Sequence, residues 1–412
     1  MKYDVIVVGS GITGLSSAYH LKKSDSSLKI LVIDKFKTFS QGNTAKSAAA
    51  FRDFFSLREN QVMAQASINF YKHLQNDLNI DIGMKFCGYL FLFDKEKDNE
   101  FVSKYPNSKI IYDNLSEFFN FNIDNETKKI MNIDSVKTAI LDTNAGIIEP
   151  DLLSGFYYNE LIEMGVEFKF NTEVKRLVLS PLKSLDYPGE PFNWQESMVT
   201  YLETGNEKIE SDFYVLCTDV WTTKLLDPLG IDSHLRPKKR QIFQITSPGI
   251  KSIINKNMFN NSGVFPFTIF PSGVYIRPYP QASSFWTSLA DDYNRDFSFT
   301  ENPEPEPDFY TYNIKPILDN YFPAADSSRI TSSWAGYYSY NTIDYMPYIF
   351  NSLNIITVSG TTGGGIMKGD SIGRVVASRY KRDKATTLYG GKKIINTYSG
   401  KYRSSKIEDM IL

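Results

Sequence analysis

Three glycines and an aspartate near the start of the chain have the types and spacing needed to bind a phosphorylated nucleotide. Gly9, Gly11 and Gly14 follow an apolar run at residues 3–8, and Asp34 ends a second apolar run. Gly9 permits a tight turn, Gly11 lets a pyrophosphate approach bare backbone, and Gly14 lets the next helix pack closely. Asp34 stands where a carboxylate can accept hydrogen bonds from ribose hydroxyls. We therefore expect a bound dinucleotide, with an ordinary strand–turn–helix connection as the alternative.

A buried strand, a helix and a second strand must position these residues. Residues 3–8 are mostly β-branched, as in a parallel strand that is covered on both faces. Gly14, Ala18 and Leu21 recur at helical spacing, so a helix begins after the turn and presents its free N–H groups to the phosphates. The contacts predicted here are Gly9, Gly11, Ile12, Thr13, Gly14, Asp34 and Lys35.

A similar arrangement recurs near the far end of the chain. Residues 354–359 are typical of a short buried strand, glycines at 360 and 363–365 break it, and Ile372, Val375, Val376 and Arg379 follow at helical spacing. A nicotinamide dehydrogenase has little need of a second glycine-led helix start. The longer FAD does, because a helix N-terminus beside its ring stabilises the negative charge of the reduced form. The contacts predicted here are Gly363, Gly364, Gly365, Ile366, Met367 and Lys368.

The pairing of "VIVVGSGITGLSSAYHL" and "VIDK" with "VSGTTGGGIMKGDSIGRVVA" resembles the D-amino-acid oxidase-like (DAO) superfamily of FAD-dependent oxidoreductases. "AGIIEPDLL", "FYVLCTDVWTTKLLDPLGI" and "SSWAGYYSYNTIDYMPYI" resemble further segments of that family in the same order. The similarity covers residues 1 to about 380. "SAAAFRDFFSLRENQVMAQASINFY" and "WAGYYSYNT" are most similar to the sarcosine and dimethylglycine dehydrogenase-like branch, which also holds a mitochondrial assembly factor for respiratory complex I.

The resemblance implies an α/β fold in which two domains interleave. A Rossmann-type FAD-binding domain has a parallel central sheet, and an α+β substrate domain has an antiparallel sheet. Alternating aromatic runs at 89–93, 240–246 and 273–279 are typical of antiparallel strands with one covered face, and 301–310 reads as a surface loop before a helix. The expected boundaries are 1–80, 146–235 and 336–385 for the FAD-binding domain, 81–145 and 236–335 for the substrate domain, and 386–412 for a C-terminal tail.

The resemblance also implies further contacts to FAD. The backbone of Val174 would face the adenine, and three other residues belong to matching segments. Relatives with covalently bound flavin carry a cysteine in the segment matching 334–344 or a histidine in the early loop, and this chain has neither. FAD is therefore expected to bind without a covalent link. The contacts predicted on this basis are Val174, Thr218, Trp221 and Gly336, together with Thr44, Lys46 and Ser47, of which one could instead be a plain helix N-cap.

The implied reaction is oxidation of the C–N bond of a small secondary or tertiary amino acid, of the sarcosine, dimethylglycine, glycine or proline type, by hydride transfer to flavin N5. Arginine suits the substrate carboxylate because its planar fork donates two parallel hydrogen bonds. Arg52 lies at about the position where sarcosine oxidases carry a substrate-side arginine; an ion pair with Asp53 or Glu59 is the alternative. Arg277 is a second candidate, unless its side chain faces solvent.

Two more side chains are candidates for the ring's substrate face. Tyr337 could line it or merely pack, and Lys368 could reach the flavin or the carboxylate, although the lysine of sarcosine oxidases aligns one place earlier. No lysine occurs between Lys256 and Lys315, where sarcosine-type oxidases carry the lysine that promotes reaction with oxygen. We therefore expect slow reaction with oxygen, with a quinone, a dye or a partner flavoprotein as acceptor.

Two other functions stay open. A 2-hydroxy-acid dehydrogenase on the same fold would need a general base for the hydroxyl, and no histidine stands in an obvious place for it. A non-catalytic assembly subunit stabilised by FAD would need no substrate chemistry at all.

The composition bears on the remaining classes of function, which are nucleic-acid binding, membrane insertion and metal binding. The 45 basic and 47 acidic residues nearly balance, so no nucleic-acid partner is expected, and the basic runs at 236–240 and 401–406 are interpreted as solvated surface. No apolar run is long enough to span a membrane, and the two unpaired cysteines are typical of a reducing compartment. The three histidines are interpreted as isolated surface residues, so no metal site is expected. We expect a cytoplasmic protein that forms a homo- or hetero-oligomer.

Overall fold

The computed structural model describes residues 2–205, 207–256, 259–396, 406–408 and 410. The described strands are β1 (Tyr3–Val8), β2 (Ile30–Ile33), β3 (Ala50–Phe51), β4 (Tyr89–Phe93), β5 (Ser108–Ile110), β6 (Thr138–Asp142), β7 (Gly146–Ile147), β8 (Glu167–Lys169), β9 (Val174–Pro181), β10 (Ser197–Thr204), β11 (Lys208–Leu216), β12 (Leu235–Thr246), β13 (Phe267–Ile269), β14 (Val274–Tyr279), β15 (Ser284–Leu289), β16 (Arg329–Asn341), β17 (Tyr348–Ser352), β18 (Ile355–Ser359), β19 (Ala385–Thr387) and β20 (Lys393–Ile395). The α-helices are α1 (Ile12–Ser24), α2 (Arg58–Asn76), α3 (Asn99–Ser103), α4 (Asn125–Met131), α5 (Pro150–Glu163), α6 (Thr222–Leu226), α7 (Pro248–Ile253), α8 (Pro307–Phe309), α9 (Lys315–Tyr321) and α10 (Gly369–Tyr380).

The first large sheet contains the parallel strands that the sequence predicts. Its order is β17-β18-β11-β1-β2-β8, and the antiparallel strands β10 and β9 extend from β11. Strand β11 runs parallel to both β1 and β18. Because all three point the same way, the two glycine-led turns from opposite ends of the sequence open at one edge of one sheet.

Helices α1 and α10 pack against each other beside this sheet. A Cβ atom added at Gly373 would lie 2.4 Å from the carbonyl oxygen of Ser16, so a larger residue would force the two helices apart. His20 on α1 bonds Asp370 on α10 at 2.7 Å, and both side chains are buried. The interpretation of His20 as an isolated surface residue is therefore wrong. Burial lowers the pKa of His20 despite the opposing effect of the Asp370 carboxylate.

The second large sheet has the order β16-β12-β15-β14-β13-β4-β6-β5, and its neighbours are antiparallel except for β13 and β4. The expectation of one covered face is wrong. Leu90 and Leu92 of β4 pack into a core that includes residues of α7 and α9, whereas Tyr89 and Phe91 pack on the other side with Phe54. Both faces are covered because the helices lie on one side and the loop that contains Phe54 lies on the other.

Strands β12 and β16 pair over their whole length, from Leu235 opposite Asn341 to Thr246 opposite Arg329. Residues 336–341 thus lie in a strand of the second sheet. The basic run at 236–240 is part of β12, and Lys238 and Arg240 are only 4% and 7% exposed, so its interpretation as solvated surface is wrong. The other basic run, apart from the exposed Lys406, lies outside the described residues.

Candidate functional site

A cavity of about 310 Å³ runs from the first glycine turn, across the ends of β1, β2, β11 and β18, to the second sheet. Its wall includes most of the residues that the sequence predicts as nucleotide contacts. Those that line it are Gly9, Gly11, Ile12, Thr13, Asp34, Lys35, Thr44, Lys46, Ser47, Val174, Thr218, Trp221, Gly336, Gly363, Gly365 and Ile366, and Tyr337, predicted for the substrate face of the ring, lines it as well.

The three glycines of the first turn differ in the space around them. A Cβ atom on Gly14 would lie 1.8 Å from the carbonyl oxygen of Gly9, so Gly14 packs the helix onto the turn and does not line the cavity. Gly9 has a φ of +100°, in the left-handed region. Beside Gly11 only the Thr44 hydroxyl comes within 4 Å, at 3.1 Å. The backbone of Gly11 is therefore open toward the cavity.

Helix α1 begins directly after this opening, and no side chain caps Gly11. The backbone N–H of Ile12 donates to the Thr44 hydroxyl at 3.1 Å. Asp34 accepts hydrogen bonds at 2.7 Å from both the backbone N–H and the hydroxyl of Ser10. These bonds fix the Asp34 carboxylate at the tip of β2, where it still lines the cavity. The end of the cavity at Asp34 therefore combines a helix start whose N-cap residue, Gly11, has no side chain with a rigidly held acid.

The loop predicted as plain surface contacts the cavity wall. Glu301 accepts hydrogen bonds from Lys35 at 2.7 Å, from the indole N–H of Trp221 at 2.8 Å, and from Lys224. Burial of Glu301 is outweighed by these donors, which lower the pKa of its carboxyl group to about 2. Next to it, the backbone N–H of Thr300 donates to the Tyr337 hydroxyl at 2.7 Å. Residues 299–301, here called the strap, thus contact four residues of the wall.

At the other end of the cavity the second glycine group lets side chains approach the backbone closely. A Cβ atom on Gly363 would lie 2.5 Å from the ring of Tyr338, and one on Gly364 would lie 2.7 Å from Nζ of Lys368. Gly363 also has a φ of +75°. The Tyr71 hydroxyl donates a hydrogen bond to the carbonyl of Ile366 at 2.9 Å and so stabilises this turn. Helix α10 then begins at Gly369.

A second cavity of about 80 Å³ adjoins the first and shares Tyr275 and Tyr338 with it. Arg52 and Lys368 both line it and are 3% and 2% exposed. The structure thus brings these two predicted cations together, whereas Tyr337 lines only the larger cavity and Arg277 lines neither. The other residues of its wall include Phe55, Asn60, Tyr89, Phe267, Gly364, Met367, Glu408 and Met410.

Comparison with known proteins agrees with this geometry. The DAO family model, described as FAD dependent oxidoreductase, matches residues 4–379. The chain belongs to the DAO family. FAD-dependent oxidoreductase domain-containing protein 1 from Xenopus laevis is 26% identical over 97% of this chain and 82% of its own length. Monomeric sarcosine oxidase from Bacillus sp. (strain B-0618) is 22% identical over 91% of each chain. The crystal structure of L-proline dehydrogenase from P. horikoshii has a TM-score of 0.71 and 21% identity, and covers 97% of both chains.

This DAO-family chain is therefore an FAD-dependent oxidoreductase, and its large cavity fits that cofactor. The open backbone at Gly11 and the start of α1 suit a pyrophosphate, and Asp34 suits a ribose. The second helix start lies at the opposite end, where the ring would be held near Gly363 and Ile366. When bound, FAD supplies a two-electron acceptor for the substrate.

Arg52 is bound by backbone rather than by acids. Its guanidinium donates to the carbonyls of Phe54 and Met410, and its Nε is buried without a partner. The alternative of an ion pair with Asp53 is wrong, because Asp53 instead accepts hydrogen bonds from Asn107 and Asn144, at 2.9 and 2.8 Å. Glu59 likewise forms no ion pair with Arg52 in the described structure. Burial lowers the pKa of the Arg52 guanidinium.

Arg277 is fully buried, so the alternative that it faces solvent is wrong. Its guanidinium donates to the carbonyls of Ala48 at 3.0 Å, Ala49 at 3.4 Å and Ile148 at 3.2 Å, and it lies 3.6 Å from the Glu149 carboxylate. The side chain therefore braces the loop at 48–49, whose other side lines both cavities. In this position it supports the wall and does not reach the substrate space.

Sequence reasoning missed Arg240, which lines the larger cavity beside Ile242. Arg240 forms ion pairs with Asp292 at 2.8 Å and Asp291 at 3.3 Å, and it donates to the Tyr340 hydroxyl at 2.6 Å. The signal was present, because Arg240 and Ile242 are alternate residues of one strand and share a face. No comparable pattern marks Glu408 and Met410, which reach the second cavity from the expected tail.

Two features that would indicate other functions are absent from the described part of the chain. It contains no cluster of three or more His, Cys, Asp and Glu side chains that could hold a metal ion. Within the same residues, no helix has both the length and the apolar character that crossing a membrane requires. Both cysteines are free and buried.

Proposed function

We propose that this oxidoreductase acts on the C–N bond of a small secondary or tertiary amino acid. The second cavity carries the proposal: it is small, it adjoins the larger cavity, and it holds two buried cations among aromatic rings. A short apolar molecule with one carboxylate matches that lining. Sarcosine and proline, which appear in the names of similar proteins, are molecules of this kind.

The roles of the side chains follow from their positions. Arg52 and Lys368 hold the substrate carboxylate, and Lys368 also lies 4.3 Å above the ring of Phe55. Tyr275 and Tyr338 line both cavities, so they orient the substrate carbon toward the cofactor space. The surrounding aromatic rings would exclude water from the substrate carbon, and FAD, when bound, would supply the hydride acceptor. The amine is bound neutral, and no protein base is required.

Oxidation of a 2-hydroxy acid fits the same cavities less well. Such a substrate needs a base to accept the hydroxyl proton, and among the described residues that line the two cavities there is no histidine. The Glu408 carboxylate is fully engaged by hydrogen bonds and its pKa is lowered, so it is a poor proton acceptor. The lining therefore favours the amine.

Non-covalent FAD binding is part of the proposal. Cys217 lines the larger cavity and lies against the first glycine turn. Burial raises the pKa of its thiol to about 12, so it is not a nucleophile. Denaturation in acid followed by filtration should release all of the yellow colour; colour retained by the polypeptide would contradict this expectation.

Slow reaction with oxygen also stays a prediction. Lys46 and Arg240 line the large cavity, but Asp291 and Asp292 neutralise Arg240. Burial, with a smaller effect of Lys35, lowers the pKa of Lys46. The charge of Arg240 is therefore compensated, and the chain has no lysine between Lys256 and Lys315 that could present positive charge to oxygen. Stopped-flow mixing of the reduced protein with air should give slow reoxidation, and rapid reoxidation would contradict the prediction.

An anaerobic bleaching screen tests the proposed reaction directly. Sarcosine, dimethylglycine, glycine and proline are added to the FAD-loaded chain, and loss of the visible flavin absorbance is recorded. Lactate and 2-hydroxyglutarate form the matched hydroxy-acid panel. Bleaching by an amino acid alone supports the proposal, and bleaching by a hydroxy acid alone favours the other chemistry. If no compound bleaches a protein that holds FAD, the cofactor has a structural role and the proposed reaction is wrong.

A further inference from the structure

Glu408 is inserted into the wall of the second cavity and is only 2% exposed. Its carboxylate accepts hydrogen bonds from the backbone N–H and hydroxyl of Ser56, at 2.8 and 2.7 Å. The backbone N–H of Leu57 and the amide of Asn60 donate to it at 3.1 and 2.9 Å. The four donors come from residues about 350 positions earlier in the chain. They form a built site for a carboxylate.

This carboxylate caps helix α2. Leu57 is the residue before the helix and makes no side-chain cap, so Glu408 supplies the acceptor that the free N–H groups need. Burial of Glu408 is outweighed by the hydrogen bonds from Asn60 and Ser56, which lower its pKa. An ionised carboxylate from the chain itself thus stands in the cavity that also contains Arg52 and Lys368.

Met410, two residues after Glu408, contacts Arg52. Its carbonyl accepts a hydrogen bond from Nη2 of Arg52, and Nη1 is taken by Phe54. The segment is fixed in two further places: the N–H of Glu408 donates to the Asp344 carbonyl at 3.1 Å, and the N–H of Met410 donates to the Glu408 carboxylate at 3.1 Å. The Nε of Arg52 is buried without a partner. The Met410 carbonyl thus occupies an N–H of Nη2, one of the two amino groups that a carboxylate bound across the end of the guanidinium would use.

We propose that Glu408 and Met410, here called the clasp, compete inside the molecule with the carboxylate of the substrate for Arg52. The proposal rests on the assignment of Arg52 as the carboxylate anchor. Binding of a small monocarboxylate requires the Met410 carbonyl to leave Arg52, and the Glu408 carboxylate on α2 holds the clasp closed. The measured affinity for such a ligand is therefore the intrinsic affinity reduced by the fraction of molecules in which the clasp is open.

Removing the charge of Glu408 tests this coupling without any turnover. Pyrrole-2-carboxylate, an unreactive aromatic monocarboxylate, is titrated into the FAD-loaded full chain, and binding is read from the flavin difference spectrum. We expect Glu408→Ala to bind the probe about tenfold more tightly than the unaltered chain, with Glu408→Gln in between. Glu163→Ala, which removes an exposed carboxylate from α5, should leave the affinity unchanged. Equal or weaker binding by both Glu408 variants overturns the proposal.

The position of Met410 gives a second readout in the unaltered chain. Peroxide oxidation of the Met410 thioether, followed by peptide mass spectrometry, should become several times faster when the probe is added, because the clasp is released. Met63, which is 6% exposed on α2, serves as the internal reference. Probe binding that slows Met410 oxidation means that the ligand lies beneath a closed clasp, and it overturns the proposal. If the Glu408 variants bind pyrrole-2-carboxylate more tightly but no amino acid bleaches the flavin in the anaerobic screen, the proposed reaction is wrong and the proposed competition of the clasp is still supported.

Discussion

The two ends of the candidate site are built differently. At the end proposed for the phosphates the wall comes largely from one short strand–turn–helix unit, in which Gly9 and Gly11 line the cavity and Gly14 packs helix α1 onto the turn. At the substrate end the wall consists of side chains from distant segments, such as Arg52 and Lys368. A local motif can specify the first end almost alone. The second end depends on long-range packing, and the choice of substrate depends on it as well.

The largest effect is expected from Gly14→Ala, which damages the locally built end. The added methyl group would lie 1.8 Å from the Gly9 carbonyl oxygen, so the turn must open at a cost of about 3 kcal/mol or more. Thermal unfolding of the apo chain should record this loss. Gly11→Ala is the matched control, because its methyl group meets only the Thr44 hydroxyl, at 3.1 Å. It should leave the apo stability nearly unchanged and weaken FAD binding; a stable Gly14→Ala chain with normal FAD affinity would contradict the distinction.

The substrate end is broken more selectively by Arg52→Met. Loss of the Arg52 guanidinium should weaken the binding of pyrrole-2-carboxylate by about 2 kcal/mol, or roughly 30-fold, as read from the flavin difference spectrum. Arg277→Met is the paired variant. It leaves several buried backbone carbonyls without their hydrogen-bond donor and should therefore lower the melting temperature. In the folded fraction its ligand affinity should stay close to normal. A larger loss of affinity in Arg277→Met than in Arg52→Met would reverse the two assignments.

Close to Arg52, the buried Asp142 and the half-buried Asp53 form an acid pair that makes the stability of the fold depend on pH. Burial, and then the neighbouring Asp53 carboxylate, raise the pKa of Asp142 from 3.8 to about 7. A raised carboxyl pKa gives stability that is complete below the unfolded value and is lost as pH rises through about 7. Asp142→Asn resembles the protonated form and should reduce this loss by an amount on the order of 1–2 kcal/mol. Urea unfolding at about pH 5 and about pH 8.5 measures it; identical pH dependence in both chains would contradict the assignment.

The smallest effect concerns the strap, the part of the phosphate end that the local motif does not supply. Glu301→Gln weakens the bonds to Lys35 and Lys224 and should speed FAD dissociation about threefold at low salt, since such partly exposed pairs contribute little. Fluorescence recovery of released FAD follows the rate. Glu304→Gln alters an exposed acid of the same loop and serves as control. If both variants release FAD equally fast, the negative charge of the loop matters and the specific hydrogen bonds of Glu301 do not.

The sequence predicted what is local and missed what is assembled from afar. The first turn, β1, α1 and the start of α10 follow from glycine placement and from the spacing of buried residues. In contrast, whether Arg277 faces solvent, carbonyls or substrate depends on a loop more than 200 residues away, at Ala48. The position of Glu408 in the second cavity depends on contacts across about 350 residues. No window of sequence contains that information.

The contact between the first and last long helices has a consequence for biosynthesis. His20 and Asp370, which join α1 to α10, are separated by 350 positions. A nascent chain that has just emerged with its first glycine turn cannot yet present a complete pocket, because the strand and helix that complete it are translated much later. We therefore expect the cofactor to bind late, once β18 has paired with β11 and α10 has packed on α1.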